Sequence, residues 1–97
     1  MTVKVNFTSF QWDKGNLDKS YAKHSITPQE AEEVFLDESL ITQEDVKHSQ
    51  KEERFTAIGK TTAGELLFAV YTHRNGNIRV ISIRKANKKE KEIYEKT

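Results

Sequence analysis

Ile78-Arg79-Val80-Ile81-Ser82-Ile83-Arg84-Lys85-Ala86-Asn87 is the stretch whose reading decides the fold. Its β-branched run predicts a strand, apolar enough to lie mid-sheet with both faces largely covered. The same strand carries Arg79, Ser82 and Arg84 and runs into a lysine-rich segment. Arginine is rarely buried without an anionic companion, so a phosphate or a plain carboxylate is expected beside it. Arg79 and Arg84 stand five positions apart and face opposite ways in a regular strand. They converge only if the strand ends or bulges near Arg84.

Outward from this strand, Asn75-Gly76 predicts a hairpin turn, type I′ or bulged, leading back to a buried strand over Leu66–Thr72. Thr61-Thr62-Ala63-Gly64 reads as a turn and Phe55–Lys60 as another strand. Leu40–His48 has no clean period, and a short strand followed by polar loop is expected. Downstream, Asn87 caps a last helix with Glu90 at N3; only Ile93 and Tyr94 are apolar there, so it docks by a narrow contact.

At the other end, Val3, Val5 and Phe7 alternate with polar residues as in a half-buried strand, and Phe10 and Trp12 continue the apolar side. Asp13 then caps a helix over about Lys14–His24, with Leu17, Tyr21 and His24 on one face. Thr27-Pro28-Gln29-Glu30 is a second helix start, with Thr as N-cap, Pro at N1 and Glu closing a capping box. Ile26 and Ala31 form a hydrophobic staple; Ala31, Val34 and Phe35 point inward; the helix ends near Asp37. The order β-α-α-β-β-β-α predicts an α+β domain, an antiparallel meander of C-terminal strands carrying helices on one side.

Ninety-seven residues, 32% charged and 35% apolar, suit one domain (1–97) with a thin core. No apolar run approaches the ~20 residues that cross a bilayer. The opening MTVKVNFTSFQW lacks a signal-peptide pattern, and the absence of cysteine excludes disulfides and thiolate metal sites. The cytoplasm is the expected location. A net charge of +1 conceals a division: residues 1–48 sum to −4 from five basic and nine acidic side chains, and residues 49–97 sum to +5 from eleven and six. Arg74–Lys91 alone carries +6, so anionic partners are expected at the C-terminal half.

Two segments resemble a known family. Trp12-Asp13…Lys23-His24 followed by Thr27…Glu30-Ala31-x-x-Val34-Phe35-x-Asp37 is similar to the N-terminal signature of BrnT-type toxins. Arg54-Phe55-x-Ala57-x-Gly59-x-Thr61-x-x-Gly64, Val70-x-Thr72-x-Arg74 and Ile78-Arg79-Val80-Ile81-Ser82-x-Arg84-x-Ala86 resemble the remainder, ending in a basic helix with Tyr94. The likeness runs from about Phe7 to Tyr94. It implies a RelE-like ribonuclease fold with two N-terminal helices packed on one side and a short C-terminal helix. It also implies RNA cleavage without metal or other cofactor, and neutralisation by a small cognate antitoxin, DNA-binding and BrnA-like, encoded beside it. The chain departs from the family at four places: Ser25 replaces the usual Gly after Lys-His, Ser20 stands for an Asn, Ile83 for the Ala of Ser-Ala-Arg, and Glu65 for a basic residue.

Such cleavage uses the 2′-OH as nucleophile and needs a base, a stabiliser of phosphorane charge and an acid. Arg84 is the expected phosphate clamp, with Ser82 adding a hydroxyl contact. Arg79 either joins it or pairs with a helix carboxylate. His24 titrates near neutrality and suits acid/base work, or else packs at a helix end. Lys23 holds a phosphate or is solvated. Tyr94 serves as stacking platform, general acid or helix dock. Arg54 belongs to the site or pairs with Glu52 or Glu53. Arg74, Lys85, Lys88, Lys89 and Lys91 track an RNA backbone or merely solvate a surface. His48 and His73 are expected in polar loops, and three scattered histidines make no metal site. The rival reading is a non-catalytic module whose basic surface docks RNA or a protein; RNA, ribosome-presented or free, is the expected ligand, and no membrane.

Overall fold

The computed structural model describes residues 9–11, 25–45 and 52–96. The strand expected over 3–7 and the helix expected over 14–24 lie outside the described residues, with Lys23, His24 and His48. Helix α1, Pro28–Leu36, begins as its sequence dictates: the Thr27 hydroxyl accepts from the Glu30 amide, and the Glu30 carboxylate accepts from the Thr27 amide. Ala31, Val34 and Phe35 are its buried face, and Ile26 is buried beside Ala31. Asp37 caps its end.

Strands β1 (Ile41–Glu44), β2 (Phe55–Lys60), β3 (Leu66–Arg74) and β4 (Asn77–Lys85) form an antiparallel meander in chain order. The short β1 is the strand expected within Leu40–His48, which the order β-α-α-β-β-β-α leaves out. Asn75 and Gly76 both adopt positive φ, 53° and 78°, as a type I′ turn requires. Strand β4 is the one expected mid-sheet. It ends the order of described strands, and its outer edge is met at Ile78, where Ile78 N–H donates to Ser9 O and Gln11 N–H to Ile78 O.

Helix α2, Lys88–Glu95, has a capping box built on Asn87 and Glu90. The helices do not share one side of the sheet. On β2, Gly59 faces α1 so closely that a Cβ would stand 2.7 Å from Val34 Cγ1 and from Val34 O. Its neighbour Ile58 points the other way and lines a cavity with Ile41, Phe68 and Ile93 of α2. The core therefore lies between α1 and one face (Ala57, Leu67, Ala69, Tyr71, Ile78, Val80, Ile83), while α2 covers part of the other. One side chain ties these layers together. Asp37 Oδ2 accepts from the Lys60 amide at 2.8 Å and from the Tyr94 hydroxyl at 2.7 Å, and Oδ1 accepts from the Ser39 amide.

Candidate functional site

The site begins with a register shift. Val70 pairs with Ser82 and Tyr71 with Val80, which leaves Ile81 as the extra residue of a β-bulge. Ile78 and Val80 face the core, and so does Ile83 after the bulge has reset the alternation. Arg79, Ser82 and Arg84, opposite Thr72, Val70 and Phe68, consequently share the outer face. The parity break from Ile78-x-Val80 to Ile83 was the signal in the sequence that could have located this bulge.

Arg84 meets a carboxylate first. Its Nη1 and Nη2 donate to Glu90 Oε1 and Oε2, each at 2.8 Å, and Nη1 also donates to Lys85 O at 3.2 Å. The guanidinium lies 4.4 Å from the Phe68 ring centre. Of its five N–H groups, these bonds leave Nε–H and the second Nη2–H unbonded among the described residues. Those two point the same way and form the side fork that grips paired phosphate oxygens. The Arg84 side chain is 40% exposed and Glu90 only 12%. Burial pushes Glu90 up, but Arg84, the Asn87 amide and the Arg84 charge together hold it below its ordinary 4.5. Glu90 also raises Arg84. Sequence reasoning had Glu90 only as a helix cap and missed both its hold on Arg84 and the ring beneath.

The +6 segment is not one patch. Arg74, at the turn, and Lys85, opposite Leu67, are about 24 Å apart along the hairpin. At the turn end, Arg74 Nε and Nη2 fork onto Glu52 at 2.8 and 3.1 Å. That bond above all, opposed by slight burial and helped by the charges of Arg74, Arg54 and Arg79, lowers the Glu52 carboxyl. Among the described residues, Glu52 is one carboxylate on which the Arg79 charge acts, and it lies in no helix. His73 belongs to β3, not a loop, with its ring edge-on to Phe55 and Tyr71. Burial pushes the Tyr71 hydroxyl up to about 12, a hydrogen bond with Thr42 opposing it. At the other end, Lys85 approaches Glu65 at 3.6 Å, and Lys88 and Lys89 are exposed on the first turn of α2. The Tyr94 hydroxyl is engaged by Asp37, and burial, then the Asp37 bond and charge, raise its pKa. This is the docking role. Ser25, at the usual glycine position, has φ 57°, a left-handed backbone that glycine adopts without strain.

With this geometry in place, a family model describing the ribonuclease toxin BrnT of type II toxin–antitoxin systems matches residues 12–90. The chain belongs to the BrnT family. Comparison with curated proteins gives no match. The family is one of ribonuclease toxins, which makes RNA the substrate and an antitoxin the partner at the family level. The matched BrnT segment contains all four described strands and closes on Glu90, the residue that forks with Arg84. Ile93 and Tyr94, which fasten α2, lie beyond it. Among the described residues no helix is long and apolar enough to cross a membrane.

Proposed function

We propose that this chain, as a single domain over residues 1–97, is a metal-independent endoribonuclease toxin of the cytoplasm that inhibits translation by cutting RNA. The carrying observation is the bulge at Ile81, which sets Arg79, Ser82 and Arg84 on one face. In this reading the scissile phosphate takes the open Nε/Nη2 fork of Arg84, Ser82 contacts another of its oxygens, and Arg79, toward the turn on the same face, takes a neighbouring phosphate. A 2′-OH attacks the adjacent phosphorus: the 2′-O–P bond forms and the P–O5′ bond breaks. His24 is the base that accepts the 2′ proton, and a water molecule donates the proton that the leaving 5′-oxygen takes up. Arg84 keeps its charge throughout and stabilises the phosphorane. Lys85, Lys88 and Lys89 hold the strand electrostatically at the α2 end, with Arg54 and Arg74 at the far end, and Lys23 adds a further phosphate contact. A small DNA-binding, BrnA-like antitoxin covers this basic surface, and ribosome-presented RNA is within the substrate class.

The test is single-turnover cleavage of RNA in chelator by wild type and Arg84→Ala, with thermal melts of both. Cleavage that falls by orders of magnitude in a folded variant supports the reading; equal rates remove Arg84 from it. The closed fork onto Glu90 favours a second reading, in which Arg84 only fastens α2 and the chain binds RNA or protein without cutting. RNA retained but intact under the same conditions supports that one.

A further inference from the structure

Between α2 and the outer face of the sheet is a cavity of about 220 Å³, walled by Ile58, Phe68 and Ile93, with Gln43, Thr56 and Lys89 at its polar margin. We infer that this slot is a nucleobase subsite, taking one base of the RNA strand whose phosphate lies on Arg84; it rests on the ribonuclease reading above. Size is the first argument. Pockets for drug-sized ligands run to about 300–1,000 Å³, so this one suits a single flat ring system. The walls are the second: an aromatic ring and branched aliphatic chains accept the π-face of any base.

Polar complementarity narrows the occupant further. The exposed Gln43 amide offers donors and an acceptor for a base edge, and the Thr56 hydroxyl is held only by a long 3.5 Å bond to Gln43 O. Lys89 places a cation at the rim. Phe68 is shared by both halves of the site, since it lines the slot and lies under the Arg84 guanidinium. Glu90 is shared in the same way. A ligand flat in the slot and anionic beside it is a nucleotide. An apolar side chain from a protein partner would fill the slot but leave the Gln43 amide and the Arg84 side fork unmatched.

The experiment compares wild type, Gln43→Ala and Ile93→Trp on a randomised single-stranded RNA pool, with steady-state kinetics on the preferred sequence. Gln43 is exposed and Ile93 is 43% exposed, and melting curves confirm that each variant folds. Gln43→Ala is expected to flatten base preference at one position beside the cut. Ile93→Trp, by filling the slot, is expected to raise KM about tenfold with kcat within about threefold, the pattern of lost stacking in uniform binding. If wild type cleaves and both variants keep its sequence profile and KM, the subsite is wrong while the ribonuclease reading stands. Wild type that neither binds nor cuts RNA overturns both. Should Ile93→Trp fail to fold, Gln43→Ala decides alone.

Discussion

The two ends of the β3–β4 hairpin each hold an arginine forked onto a glutamate, yet the forks use different edges of the guanidinium. Arg74 gives Glu52 its Nε and Nη2, the side edge a phosphate would take. Arg84 gives Glu90 its two Nη atoms and keeps the side edge open. Exposure differs too: Glu52 is 34% exposed and Glu90 12%. A carboxylate beside an arginine therefore closes one potential anion site and orients the other. Which it does depends on the nitrogens engaged.

The strongest way to break this comparison is to remove each arginine in turn. Arg84→Ala is expected to lower RNA cleavage by about 10²–10³-fold, the usual cost of losing a group that meets transition-state charge. Arg74→Ala is expected to stay within about threefold, measured as single-turnover rates at one salt concentration. Removing the glutamates sharpens the contrast. Glu90→Gln is expected to lower the cleavage rate by about tenfold and to cost about 1 kcal/mol, a melting shift of about 4–8 °C. Glu52→Gln should move neither by much, because an exposed pair contributes under about 1 kcal/mol.

Acidity and alkalinity both act on the α2 end. Glu90 and Asp37 both have lowered folded values, so their stabilisation is complete above the ordinary 4.5 and 3.8 and is lost as pH falls through the lower folded values. Burial opposes the lowering at Asp37, and the Ser39, Tyr94 and Lys60 bonds outweigh it. Tyr94 is raised, so its share is full below 10.0 and is lost as pH climbs through the folded value. Helix α2 is thus expected to detach at both extremes, as a helical loss in circular dichroism that precedes global melting. A gain in stability, and not a loss, is expected away from both forks. Ser25→Gly relieves a left-handed backbone and should raise stability by about 1 kcal/mol in urea unfolding.

What the chain disclosed in advance was local. Thr27-Pro28-Gln29-Glu30 and Asn87 with Glu90 specify helix starts within four residues, and Asn75-Gly76 specifies its turn, because each motif satisfies its own backbone. Strand boundaries for β2 to β4 followed within two residues from their composition. The bulge did not, since register is a property of two strands and its only trace is one parity change in β4. Nor did the side on which α2 lies, because Ile93 and Tyr94 name a contact without naming a face. Arg84 was legible as a residue needing an anion. That Glu90 would be that anion required the corner between β4 and α2 to be folded, since the cap motif had already accounted for Glu90 completely.

The unpaired residue in β4 has a consequence for length variation in this chain. Deleting one residue from a regular strand turns every later side chain over, which here would drive Arg84 inward and Ile83 outward. Ile81 is exempt. Excising it joins Val80 to Ser82 and leaves Ser82, Ile83 and Arg84 on the sides they already occupy, so a chain one residue shorter at that point is expected to fold with a straighter last strand.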